Sequence, residues 1–125
     1  MTRLFCYGTL RRGEFAHKLL SKHDAEFIRE CKTHPRYHLY DQGRFPGMVI
    51  QEDEPGGVYG ELFEVSDECL QDTDYYEGVD SGLFCREEID IEDGDKAIAY
   101  LIQSPFTGTR ISSGIWRRDG KTQEG

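Results

Sequence analysis

The sequence predicts an α+β domain made mostly of strands: a small mixed β-barrel with short helices packed outside. Two features of composition point there. Of 125 residues 14 are glycine and 12% are aromatic, which suits a turn-rich β chain better than a helical bundle. A third observation is the pattern itself. Several short apolar or alternating runs are separated by turn chemistry, and only two stretches carry helical spacing. In a domain of this size a sheet with many short strands gains by closing, because closure removes exposed edges.

The elements follow in order. Arg3 to Tyr7 reads as a strand that breaks at Gly8, and Glu14 to Ser21 carries Phe15, Leu19 and Leu20 at helix-compatible spacing. Ala25 to Thr33 and Arg36 to Tyr40 are strand segments divided by Pro35, and "DQGRFPG" is a turn leading into a strand over Met48 to Gln51. After the turn "DEPGG", Val58 to Val65 alternates as a half-buried strand should. Ser66 is a good N-cap, with Asp67 and Glu68 matching the first-turn dipole. The helix it opens presents Cys69, Leu70 and Tyr76 to a core, and Gly78 ends it. Leu83 to Glu92 and Lys96 to Gln103 flank Asp93-Gly94-Asp95, a hairpin signal. The expected organisation is one domain over residues 1–116 and a turn-rich tail over 117–125 that frays after Trp116.

Charge and cysteine usage narrow the function classes. With 24 acidic against 15 basic residues the net charge is −9, which argues against nucleic acid and anionic lipid as partners. No run approaches a membrane span or a signal-peptide core. Cys6, Cys31, Cys69 and Cys85 form no C-x-x-C pair, so reduced, semi-buried thiols in a cytoplasmic protein are expected. His34 and His38 are four apart, but Pro35 spoils a helical metal pair, and no metal is expected.

Two places could carry chemistry. Gly8 to Gly13 has the spacing of a phosphate-binding loop after a strand, yet Glu14 and Phe15 stand where Lys and Ser or Thr belong. A carboxylate there repels phosphate. The loop is then a structural turn or a cradle for another ligand. Glu77 closes a helix where the dipole disfavours a carboxylate, and such local violations are enriched at functional sites. A solvated surface glutamate is the competing reading.

Taken together, "YGTLRRG", "GGVYGELFEV", "YYEGVDSGLFCREEI" and "ISSGIW" resemble the γ-glutamylcyclotransferase-like superfamily, especially its short γ-glutamylamine cyclotransferase-like members. The order of YGTL and E-G-x₅-[YF]-x-R carries the resemblance, which spans Leu4 to Trp116. It implies that Tyr7, Gly8, Thr9 and Leu10 line a cavity for a γ-glutamyl group, with backbone N–H groups forming a nest for negative charge. It implies Glu77 as general acid/base, with Phe84 and Arg86 as possible support. It implies no cofactor and a small-molecule γ-glutamyl substrate as the partner. Phe84 stands where the family more commonly has Tyr, and Ile115 where it usually has Asp. The reaction implied is release of 5-oxoproline and a free amine. A binding module that kept the fold, or a γ-glutamyl-removing enzyme of a biosynthetic pathway, are the alternatives. Two placements are expected: the Tyr7–Leu10 loop at the mouth of the largest concave site, and Glu14 on the helix beyond it.

Overall fold

The computed structural model of the protein describes residues 1–52, 55–103 and 106–117. Eight strands form one mixed sheet that curls into a half-barrel: β1 (Thr2–Cys6), β2 (Glu26–Lys32), β3 (Tyr37–Asp41), β4 (Pro46–Ile50), β5 (Tyr59–Val65), β6 (Phe84–Asp90), β7 (Lys96–Ile102) and β8 (Thr109–Arg110). Two helices accompany it, α1 (Lys18–Ser21) and α2 (Asp67–Tyr76). The strand order is β2-β5-β1-β7-β4-β3-β8, with β6 pairing β7 off that path.

β1 is an interior strand. It pairs antiparallel with β5 in the register Phe5↔Leu62, and parallel with β7 at Leu4↔Ile98. That position explains why Leu4 to Tyr7 is apolar without alternation: both faces of the strand are buried. Phe5 and Tyr7 join a core with Leu39, Met48, Leu62 and Trp116. Leu4 and Cys6 face the opposite way, into a second core with Leu20, Phe63, Cys69 and Leu70. The helices supply part of that second core, so they cover the sheet's outer face as expected.

Several boundaries differ from the sequence reading. The first helix shrinks from Glu14–Ser21 to Lys18–Ser21, and Glu14 lies in the turns before it. Gly13 there takes φ +86°, a left-handed conformation that breaks a helix before it starts. The face of α2 that is buried is Cys69, Leu70 and Thr73, not Tyr76, which is 37% exposed. Ser66 does cap α2, accepting a bond from the Cys69 N–H at 3.2 Å. β8 was not anticipated; two residues leave no periodicity to detect. The hairpin at Asp93-Gly94 joins β6 to β7 with Gly94 at φ +99°. Cys6 and Cys69 are buried, Cys31 and Cys85 half-buried, and all four are free thiols. No helix of the described residues is long and apolar enough to cross a membrane. Residues 118–125, most of the expected tail, lie outside the described residues.

Candidate active site

β1 ends at Cys6, and the chain leaves the sheet through Tyr7-Gly8-Thr9-Leu10. This loop lines a cavity of about 310 Å³, open mouth included, together with Tyr100 of β7 and Glu77 after α2. The loop residues and Glu77, far apart in sequence, therefore share one concave site. It is not the largest. An open groove of about 1060 Å³, solvent space included, beside Ile50, Glu87 and Phe106 exceeds it.

The helix end is built to carry Glu77. Glu77 is the C-cap of α2, and Gly78 follows at φ +70°. The Gly78 N–H donates to the Tyr75 carbonyl at 3.1 Å and the Val79 N–H to the Asp74 carbonyl at 3.1 Å. That pair of bonds is a Schellman closure, which fixes the direction in which the capping residue leaves the helix. Burial pushes the Glu77 carboxyl up to about 8, from an ordinary value of 4.5. Tyr7 and Cys6 are raised as well, first by their own burial and then by the Glu77 charge. Glu77 is half-buried and borders the cavity rather than open surface.

Each loop residue has a distinct local role. The Tyr7 hydroxyl donates to the Tyr100 carbonyl at 2.5 Å and accepts from the Met48 N–H at 3.2 Å, so it ties β1, β7 and β4 together. At Gly8 a Cβ would lie 2.6 Å from Pro46 Cγ and 2.8 Å from its Cδ. Glycine is required there by Pro46, which also lines the cavity. The Gly8 carbonyl is turned away and held by the Arg11 N–H at 3.1 Å and by Arg11 Nε at 3.2 Å. Among the described residues no acceptor meets the main-chain N–H groups of Gly8, Thr9 or Leu10. Buried main-chain donors without partners are rare, and they suit a negatively charged ligand.

Two arginines brace the loop from behind. Arg11 reaches the Trp116 carbonyl at 2.5 Å. The buried Glu61 accepts from the Arg12 N–H at 2.9 Å and from its guanidinium at 3.3 Å, while that guanidinium lies 3.5 Å over the Phe27 ring. Nothing in the sequence distinguished Glu61 from other alternating strand residues.

Beyond Glu77 the cavity continues into a second compartment of about 400 Å³. Thr9, Phe45 and Glu77 border both. Phe84 belongs to this outer wall, buried and packed on Phe45 with ring centroids 5.9 Å apart. Arg86 lines neither compartment; Nη1 lies 3.4 Å from Asp74 Oδ2, on the last turn of α2. Asp74 Oδ1 in turn accepts from the Tyr100 hydroxyl at 2.6 Å, and Thr73 Oγ1 is 2.6 Å from that hydroxyl. Burial and the Asp74 bond hold the Tyr100 hydroxyl far above its ordinary range. Tyr100 and Asp74 were missed in the sequence because "KAIAYLI" reads as plain core strand. Ile115 lies in a separate groove beside Arg11 and Tyr59. Among the described residues no group of three possible ligands is disposed to hold a metal, and His38 is buried with Nε2 3.1 Å from the Gln51 carbonyl.

Residues 4–118 match the family model described as "Gamma-glutamyl cyclotransferase, AIG2-like". A Vibrio cholerae protein named "Putative gamma-glutamylcyclotransferase" is 32% identical over 113 residues, covering 90% of this chain and 93% of that one. The "Gamma-L-glutamyl-butirosin B gamma-glutamyl cyclotransferase" of Niallia circulans is 33% identical over 99 residues, covering 74% of this chain and 60% of that one. The crystal structure of a uropathogenic E. coli-specific protein superposes with a TM-score of 0.83 at 24% identity, covering 94% of both chains, a likeness of fold. The chain belongs to the AIG2-like gamma-glutamyl cyclotransferase family.

Proposed function

We propose that this protein is a γ-glutamylcyclotransferase that converts a γ-glutamyl amine or γ-glutamyl amino acid into 5-oxoproline and the free amine. The observation that carries this reading is that the half-buried Glu77, its carboxyl raised, and the Gly8–Leu10 loop, whose main-chain N–H groups meet no acceptor among the described residues, line one cavity. The reaction needs both. The substrate's α-amine attacks its own γ-carbonyl carbon, a C–N bond closes the five-membered ring, and the original amide C–N bond breaks. One proton leaves the α-amine and one reaches the departing nitrogen, so no water is consumed.

Glu77 is assigned the proton transfers. Its carboxyl, at about 8, is matched to a free α-amine, whose ordinary value is about 7.7–8.0. Transfer between matched groups is near balance in both directions, which suits a residue that must first accept and then return a proton. Gly8, Thr9 and Leu10 N–H groups are assigned the substrate's negative charge, including the oxyanion that develops on the γ-carbonyl. Loss of one such donor typically costs about 3–4 kcal/mol of transition-state stabilisation. A curled substrate held against Tyr7 and Tyr100 brings amine and carbonyl together, an orientation effect that can reach about 7–11 kcal/mol.

The test is incubation with γ-glutamyl amines and γ-glutamyl amino acids, following 5-oxoproline and the amine by mass spectrometry. Equal amounts of both are expected. Glutamate in place of 5-oxoproline would assign a hydrolase, and no product from any of them would assign a binding protein.

A further inference from the structure

The groove beside Ile115 has a charge pattern that the cyclotransferase chemistry does not use. It encloses about 860 Å³, solvent space included, and its walls carry Arg11, Lys32 and Arg117 with Tyr59 and the carboxylates Glu30 and Glu61. None of these residues lines the catalytic cavity or its outer compartment.

The two outlying cations are held in place by the fold. The Tyr59 N–H donates to the Gly114 carbonyl at 2.9 Å, and a Cβ at Gly114 would lie 2.2 Å from the Gly57 carbonyl oxygen, so this segment is packed tightly on the start of β5. Trp116 then anchors it in the core at 2% exposure, and the exposed Arg117 follows directly. A Cβ at Gly57 would lie 2.6 Å from Lys32 Cε, which places the lysine stem across bare backbone, and the ammonium stands 5.0 Å from the Tyr59 ring centroid.

The neighbouring carboxylates are already answered. Arg12 lies 3.3 Å from Glu61 and 3.7 Å from Glu30, and Arg11 lies 3.8 Å from Glu14. Among the described residues neither Lys32 nor Arg117 has an ion-pair partner. Burial, and after it the charge of Arg117, pull the Arg11 guanidinium below its ordinary value against Glu14 and Glu61. Cations gathered against their own repulsion are locally unfavourable, and such conflicts concentrate at functional sites. Ile115 adds to the pattern: it lines the groove at the position where the family resemblance leads to Asp, so an aliphatic side chain replaces a carboxylate there.

We propose that this groove is a binding site for a phosphate-bearing small molecule, held by Lys32 and Arg117 with Arg11 beside them. Guanidinium forks match phosphate oxygens, and a lysine ammonium serves them as a point charge. The volume is that of a small-molecule site rather than of one inorganic ion. A net charge of −9 repels anions in general, so an anion binds only where cations are concentrated.

The probe is inorganic pyrophosphate, titrated calorimetrically into the full chain at low salt, with succinate as the dicarboxylate comparison. Saturable binding is expected, tighter than that of succinate by about fivefold or more. Arg117→Gln and Lys32→Gln should each weaken it by about tenfold, and Ile115→Asp, which returns a carboxylate to the groove, by about as much. Lys18→Gln, an exposed charge on α1, should change it by less than about twofold. Amide shifts should move at Tyr59, Gly60 and Ile115 rather than at Gly8–Leu10. If Ile115→Asp lowers the melting temperature, Arg117→Gln at its exposed position decides. No binding, equal or tighter binding of succinate, an affinity indifferent to Arg117→Gln, a matching loss in Lys18→Gln, or shifts confined to Gly8–Leu10 would overturn the proposal.

Discussion

The Thr9 and Tyr76 hydroxyls lie 2.8 Å apart, joining the loop after β1 to the last turn of α2. The two halves of the site lie 67 residues apart in the sequence, and this bond is a direct link between them. Tyr76→Phe removes it while keeping the apolar ring at the mouth. We expect a stability loss of about 1 kcal/mol and a drop in kcat of about fivefold. Thermal melts and 5-oxoproline release measure the two, and unchanged values for both would make the link incidental.

Among the described residues Arg86 is linked to the site through Asp74. The chain of contacts runs from Arg86 to Asp74 at 3.4 Å and from Asp74 to the Tyr100 hydroxyl at 2.6 Å. Arg86→Ala should lower kcat with little change in KM, and Arg86→Lys should restore part of it, because a cation that orients α2 binds no substrate itself. The pair is partly exposed, so its effect on stability should stay within about 1 kcal/mol. A rise in KM with kcat intact would make Arg86 a substrate contact.

Gly8 and Gly13 make a matched pair of substitutions. An alanine at Gly8 would drive Pro46 out of place in the cavity wall, whereas nothing lies within 4 Å of a Cβ at Gly13. Gly8→Ala should cost about 1–3 kcal/mol by overpacking and abolish most turnover. Gly13→Ala, at φ +86°, should cost about 1–2 kcal/mol in backbone strain and leave kcat within twofold or so of wild type. Equal turnover in the two variants would separate the cavity from the chemistry.

Most of the framework was legible because burial on one or two faces leaves a pattern along the chain. β1, β5, α2 and the β6–β7 hairpin fall close to where alternation, the Ser66 cap and Asp93-Gly94 put them. The site was half legible. Gly8 and Glu77 broke local rules, a loop too rich in glycine and a carboxylate at the wrong end of a helix, and each stands at the cavity. What the sequence concealed were residues whose local roles looked ordinary. Glu61 sits at a plain alternating position in β5, yet it is buried and clamps Arg12. Tyr100 hides a polar tip inside an apolar strand, and Asp74 is one of several acids on α2. Such roles depend on the packing of distant segments, which no local pattern encodes. The reach of the first helix failed for a local reason, the left-handed Gly13 ahead of it.

Burial of Glu77 also sets a pH dependence of stability. Its folded value, about 8, lies above the ordinary 4.5, so between those limits the folded protein holds a proton that the unfolded chain has released. Stability therefore falls as pH rises from about 4.5 to 8, with a slope of at most about 1.4 kcal/mol per pH unit. Glu77→Gln has no charge to desolvate. Its melting temperature should exceed that of wild type by a margin that grows across this range and then levels off. A constant margin, or none, would place the Glu77 carboxyl in water.

Turnover of Glu77→Gln at pH 8, on the best γ-glutamyl amine substrate and beside wild type, tests the central claim most directly. Glutamine keeps the side chain's shape but cannot take up the α-amine's proton, so the loss should be about 10²–10⁴-fold, in a protein that melts no lower than wild type. Wild-type kcat/KM should rise with pH through two groups, the Glu77 carboxyl at about 8 and the substrate's α-amine at about 7.7–8.0, and the residual activity of the variant should keep only the amine's single-group dependence. Turnover of the variant within about threefold of wild type, a margin far below any general-base loss, would contradict the assignment and move the proton transfer to another residue.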